Sequence, residues 1–235
     1  MSAHSFEITE QCIGPNPLLD DAPDWIYELD NPYLHGVYAP TVDELAAHDL
    51  SVSGELPTDL VGAYFRNGPN PLHESPHRHH PFDGDGMLHG VYFADGKASY
   101  RNRYIETEAL ARQRRSGECV SPGVMGPFDY SVSQFGIKDT SNTDVFLYNG
   151  DLMSLWYNAG HPYRVDPATL ATRDHYRIDG RAPLRLSAHS KVDWNTGELL
   201  FFDYGDEVPY MTFGIADAQG RLVREVPIDL PGPRL

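Results

Sequence analysis

Four times along this chain, a short apolar or β-branched run is turned back on a similar run by residues that enter positive φ at little cost. Residues 87–93 and 97–104 flank Ala94-Asp95-Gly96, and residues 145–148 and 152–156 flank Asn149-Gly150. Residues 190–193 and 199–202 flank Asn195-Thr196-Gly197, and residues 210–215 and 222–226 enclose a turn that ends at Gly220. Asp-Gly and Asn-Gly in such places specify tight hairpins. The spacing therefore predicts antiparallel β-structure with little helix. A single helical turn is predicted over residues 43–48, Asp43-Glu44-Leu45-Ala46-Ala47-His48.

Two of the turns look alike: Val165-Asp166-Pro167-Ala168-Thr169-Leu170 and Val192-Asp193-Trp194-Asn195-Thr196-Gly197. Meandering hairpins with recurring turns favour a β-propeller over a sandwich. A propeller loses its exposed edges only by closing, and these hairpins fill part of a ring. The expected fold is thus all-β, an unclosed portion of a propeller. Pro15, Pro17, Asp20, Asp21, Pro23 and Asp24 discourage regular structure, so residues 1–30 read as a loosely ordered N-terminal extension. Order is expected from Asn31-Pro32-Tyr33, with the blades over residues 31–235. With 14 Tyr and 10 Phe the chain has enough aromatic bulk for a packed core.

A net charge of −16 argues against a nucleic-acid partner, whose phosphates call for a basic surface. It also leaves no polybasic patch for an anionic membrane. Cys12 and Cys119 make no disulfide framework. The N-terminus lacks a basic segment followed by an apolar one, and no apolar run approaches the roughly 20 residues of a membrane helix. There is no Asn-x-Ser/Thr acceptor. The expected compartment is the cytoplasm.

His189, in Leu186-Ser187-Ala188-His189-Ser190-Lys191-Val192-Asp193, opens a strand after a loop. Inner propeller strands point their ends at the central channel, and neutral imidazole is a natural iron ligand. Gly84-Asp85-Gly86-Met87-Leu88-His89-Gly90 lacks the last glycine and the βαβ context of a dinucleotide fingerprint. It also lacks the oxygen ligands of a calcium loop, and so reads as a tight turn entering a strand. His77-Arg78-His79-His80 carries an arginine inside it and has no zinc-spaced partner, so it reads as a solvated loop. There is no Gly-x-Ser-x-Gly elbow, and Cys119 has no histidine nearby in sequence.

Five blocks in order carry a resemblance. They are residues 62–71 (Gly-Ala-Tyr-Phe-Arg-Asn-Gly-Pro-Asn-Pro), 80–87 (His-Pro-Phe-Asp-Gly-Asp-Gly-Met), 100–104 (Tyr-Arg-Asn-Arg-Tyr), 162–170 (Pro-Tyr-Arg-Val-Asp-Pro-Ala-Thr-Leu) and 188–193 (Ala-His-Ser-Lys-Val-Asp). Together they resemble the N-terminal half of the carotenoid cleavage oxygenases, a family that includes stilbene-cleaving enzymes and retinoid isomerases. The resemblance implies a seven-bladed β-propeller with Fe(II) on its axis, held by four histidines beside a bound polyene. His189 matches the first of those ligands, and the resemblance puts the others beyond Leu235. Asn158, in Tyr157-Asn158-Ala159-Gly160, stands where many members have a glutamate that orients a ligand; His161 and His175 match no ligand position.

The implied reaction joins O2 to one double bond of a carotenoid or apocarotenoid, giving two carbonyl products. A stilbene substrate is the alternative within the class. Peripheral membrane contact for substrate uptake goes with such apolar substrates. With one ligand of four, the chain alone is expected to be inactive, and a non-catalytic propeller module that binds without metal is the rival reading.

Overall fold

The computed structural model describes residues 31–41, 43–157, 160–180, 185–205 and 207–233. The expected extension over residues 1–30, with Cys12, and the position of Asn158 lie outside the described residues. The described residues divide into two units, one up to Asp43 and one from Glu44 on. In the first, two short 3-10 turns, Pro32–Leu34 and Gly36–Tyr38, follow each other, and Asn31 Oδ1 accepts the Tyr33 N–H at 3.0 Å.

The second unit is built from three four-stranded antiparallel sheets. The first holds β1 (Ala46–Ala47), β2 (Gly62–Pro69), β3 (Gly86–Ala94) and β4 (Lys97–Tyr104), in the order β1-β4-β3-β2. The second is a meander of β5 (Asp144–Tyr148), β6 (Asp151–Leu155), β7 (Tyr163–Val165) and β8 (Thr172–His175). The third is a meander of β9 (Lys191–Val192), β10 (Leu199–Tyr204), β11 (Met211–Ala216) and β12 (Leu222–Ile228). The edge strands β2, β5 and β9 meet in succession, β2 against β5 and β5 against β9. Three sheets sharing one inner side, each continuing outward by hairpins, are consecutive blades of an unclosed β-propeller.

Each predicted hairpin forms where its turn residues place it. Asp95 and Gly96 have φ of 53° and 69°, and Asn149 and Gly150 have 50° and 82°. Two successive positive φ values make the turn whose twist matches that of the strands. The two look-alike turns share one mechanism: Asp166 Oδ1 accepts the N–H of Ala168 and of Thr169, each at 2.9 Å, and Asp193 Oδ1 accepts that of Asn195 at 2.9 Å. Both close with an i to i+4 backbone bond on a residue of positive φ, Leu170 (58°) and Gly197 (75°). Leu170 tolerates that conformation because its side chain is fully buried in the core.

One local expectation fails, and one element was not foreseen. Residues 43–48 form no helical turn: Ala46 and Ala47 pair with Arg101 and Tyr100 as an outer strand of the first sheet. Hydrogen bonds to β4 take the polar groups of the segment instead. Asn102 Oδ1 accepts the Leu45 N–H, Arg103 Nη1 donates to the Leu45 carbonyl at 3.1 Å, and Glu44 Oε1 accepts the Tyr104 N–H at 2.9 Å. Conversely, a nine-residue helix, α1 (Glu108–Ser116), follows β4. Thr107 Oγ1 caps it by accepting the Leu110 N–H at 3.0 Å, and Gly117, at φ 77°, ends it. Only Leu110 and Gln113 are buried, so α1 carries no apolar stripe to reveal it.

The core lies between blades. Leu88, Ile105, Leu152, Val165 and Leu170 fill the space between the first and second sheets. Met153, Leu155, Leu186, Leu199 and Phe201 fill that between the second and third. Gly214 lies under Phe201, where an added Cβ would come within 2.1 Å of the ring. Gly214→Ala is therefore expected to cost about 1–3 kcal/mol by overpacking; urea unfolding would read this, and an unchanged midpoint would contradict it. On the face of the third sheet turned away from the second, Leu200 pairs with Ile215 and Phe202 with Phe213, all half-buried.

Candidate functional site

His189 sits in a turn just before β9, with its side chain exposed rather than packed between sheets. Its backbone is left-handed, at φ 70°. That conformation costs a non-glycine residue roughly 1–2 kcal/mol, although histidine enters it more readily than most. The turn is held from several sides. Ser187 N donates to the Phe202 carbonyl at 2.9 Å, Ala188 N to the Trp156 carbonyl at 3.2 Å, and His189 N to Asp144 Oδ2 at 2.8 Å. Lys191 Nζ donates to the His189 carbonyl at 2.7 Å, and Ser190 Oγ to that of Ser187 at 3.1 Å. Leu186 and Ala188 are buried. The result is a fixed backbone carrying an exposed imidazole at the inner edge of a blade.

Asp144 opens β5, the inner strand of the second sheet. Its own position is set from the first sheet: Asn67 Nδ2 donates to the carbonyls of Asp144 (3.2 Å) and Ser141 (2.9 Å) and to Ser154 Oγ (3.1 Å). One side chain from β2 thus fixes the start of β5, which in turn fixes the His189 turn. Among the described residues, no group of three or more His, Cys, Asp or Glu side chains is arranged to hold a metal ion. Among the described residues, this inner edge offers a single imidazole, that of His189. It fits iron as one ligand of a set, not as a site by itself.

The Gly84–Gly86 turn does structural work. Asp83 accepts the N–H of Val124 at 2.7 Å and of His80 at 2.8 Å, and His80 Nδ1 accepts that of Phe82 at 3.2 Å. His80 therefore caps a short 3-10 turn, Pro81–Asp83, and is half-buried rather than solvated, while His77 and Arg78 are exposed. Asp85 is buried and receives Lys138 Nζ (3.2 Å), Gln113 Nε2 (2.8 Å) and Leu72 N (3.1 Å). A Cβ on Gly86 would lie 2.4 Å from the Ser141 carbonyl oxygen, so glycine is required for that close approach. Cys119 is buried, and burial pushes its thiol up, which suits an inert side chain.

His161 and His175 share a cleft of roughly 500 Å3 beside α1, with Glu108, Arg112, Gln134 and Asp139 also on its walls. Their rings stand 5.4 Å apart. Burial raises the Asp139 carboxyl to about 7, against the Ser141 N–H that favours its charged form. Because its folded-state pKa lies above the unfolded one, the folded state holds more protons between the two. Stability should therefore fall as pH rises from about 4 to about 7. Asp139→Asn is expected to flatten that slope and to be the more stable form at pH 8 in urea titrations. A slope equal to that of the parent protein would exclude this role.

Blades converging on an inner edge that carries a locked, exposed imidazole define an unclosed β-propeller with a histidine at its inner rim. The family model for retinal pigment epithelial membrane protein matches residues 38–235, and the chain belongs to that family. It is 35% identical to carotenoid 9,10(9′,10′)-cleavage dioxygenase 1 of Arabidopsis thaliana, covering 86% of this chain and 41% of that enzyme. The crystal structure of lignostilbene dioxygenase from Pseudomonas brassicacearum superposes with a TM-score of 0.78 at 30% identity, covering 88% of this chain and 44% of that one. Cobalt-substituted apocarotenoid oxygenase of Synechocystis gives a TM-score of 0.68 at 25% identity, covering 83% and 44%. The chain spans less than half the length of each of these relatives.

Proposed function

We propose that this chain is part of a non-haem iron(II)-dependent dioxygenase that cleaves a carbon-carbon double bond with O2, giving two carbonyl compounds. The observation that carries the reading is His189, an exposed imidazole on a fixed turn at the inner blade edge of a member of this family. A relative solved in cobalt-substituted form supports a divalent metal. In this reading His189 is one of the metal's ligands, and the rest of the donor set comes from the portion of the relatives that this chain does not span. When bound, the iron supplies the activation of O2.

The residues on this chain bind and orient. His189 presents a ring nitrogen from a turn that cannot rotate freely, and the apolar inter-blade packing keeps water from the blades behind it. The substrate is an apolar polyene, a carotenoid or apocarotenoid, as the similarity to the Arabidopsis enzyme supports. The likeness to lignostilbene dioxygenase supports a stilbene as the second reading. No helix among the described residues is long and apolar enough to cross a membrane. The reading places the enzyme in the cytoplasm, meeting membranes only peripherally to collect substrate.

The test is to express the full coding sequence and residues 1–235 side by side, load both anaerobically with Fe(II), and supply an apocarotenoid and a 4-hydroxystilbene. O2 uptake with two carbonyl products from one of these, in the longer form only, is the expected result. Ligand binding without metal uptake or turnover in either form would establish the non-catalytic module instead. Turnover by residues 1–235 alone would show that the donor set has been misjudged.

A further inference from the structure

We propose that Asp144 is the positioning residue of His189, and that its carboxylate sets the direction in which the imidazole is presented. This rests on the reading of His189 as a metal ligand. Three observations carry it. His189 is the one non-glycine residue of its turn with a positive φ, 70°. The group that meets its N–H is not a backbone carbonyl but Asp144 Oδ2, at 2.8 Å, from a strand 45 residues away. Its ring is exposed, so side-chain packing does not hold the backbone in that conformation.

A left-handed residue points its Cβ differently from an extended one. Whatever holds the backbone left-handed therefore also aims the ring. The neighbouring turn residues are held by main-chain acceptors: the Ser187 N–H by Phe202 and the Ala188 N–H by Trp156. At His189 that series of main-chain acceptors ends, and the Asp144 side chain takes over. The carboxylate is itself anchored. Asp144 Oδ1 accepts the Val145 N–H at 2.8 Å, and the Asp144 carbonyl is held by Asn67. On the other side of the peptide, the Lys191 ammonium donates to the His189 carbonyl at 2.7 Å. The peptide units flanking His189 are thus gripped by opposite charges, one on N–H and one on C=O. The bond from Asp144 runs to the backbone N–H of His189, and Asp144 is not a ligand in this scheme. It acts through the backbone, as outer-shell groups that orient a metal-binding histidine do.

The experiment compares Asp144→Ala, Asp144→Asn and His189→Ala in the full coding sequence. The readouts are anaerobic Fe(II) affinity, the visible bands of the Co(II)-loaded protein, and the melting temperature of the metal-free protein. Asp144→Ala is expected to weaken Fe(II) by about 10–100-fold, the range for loss of an outer-shell partner, and to shift the Co(II) bands. Asp144→Asn keeps an oxygen acceptor and is expected to restore affinity to within about threefold of the parent, well below that range. A purely structural aspartate would instead lower the melting temperature and leave the Co(II) bands in place. Should the alanine variant not fold, Asp144→Glu moves the acceptor by one methylene and should shift the same bands. Unchanged affinity and bands in Asp144→Ala or Asp144→Glu, with metal lost in His189→Ala, would overturn the positioning role alone. Metal retained in His189→Ala would overturn the ligand reading beneath it.

Discussion

Lys138→Met should cost about 3–5 kcal/mol, the penalty for leaving one member of a buried ion pair without its partner. Against the roughly 5–15 kcal/mol that holds a typical domain together, this is a large fraction of the whole. Lys138 and Asp85 are 3% and 1% exposed, with 3.2 Å between Nζ and Oδ2. Burial works to lower the lysine's pKa, and Asp85, Cys119 and Asp83 together more than reverse it, so the ammonium stays charged. Asp85 also receives Gln113 from α1 and Leu72 N from the loop after β2. Without Lys138 those two neutral donors alone face a buried carboxylate. The double variant Lys138→Met with Asp85→Asn removes both charges and should recover part of the loss. Urea unfolding of the two single variants and the double reads the coupling. Additive losses, with no recovery in the double variant, would show that the pair is not a unit.

The hairpins were legible because their chemistry is local. Asp95-Gly96 and Asn149-Gly150 announce positive φ by residue type alone, and both turns form there. The recurring aspartate turn was legible for the same reason, although Leu170, a residue that rarely takes φ 58°, gave no sign of its conformation. What escaped is what depends on distant groups. Residues 43–48 have helix-forming composition, but Asn102, Arg103 and the Tyr104 backbone claim their polar groups from a strand more than fifty residues on. Lys138 and Asp85 are 53 residues apart, and nothing in an acidic chain marks one aspartate among many. His189 was visible as a loop-to-strand histidine within a family-like block, and the structure puts it in a turn before β9. Its left-handed backbone and its tie to Asp144 were not visible, because serine and alanine around it set no φ.

His189→Ala should leave the protein folded and without iron. Because the ring is exposed, its removal opens no cavity, and surface changes of this kind stay within about 0.5 kcal/mol. Losing a direct ligand should exceed the 10–100-fold cost of losing an outer-shell partner, so Fe(II) affinity should fall by more than roughly 100-fold. His189→Gly sharpens the contrast. Glycine takes φ 70° freely, relieving roughly 1–2 kcal/mol of strain. Its greater freedom in the unfolded chain returns about 0.5–1 kcal/mol of that. The glycine variant should therefore be as stable as the parent or up to about 1.5 kcal/mol more stable, yet still lack metal. A residue kept for the fold behaves in the opposite way: glycine would lower stability and leave metal content alone. Strain retained where glycine would be cheaper is the mark of a side chain kept for its chemistry. Metal analysis by mass spectrometry and urea unfolding, on both variants made in the full coding sequence, decide the matter. Stoichiometric iron in either one would remove His189 from the donor set.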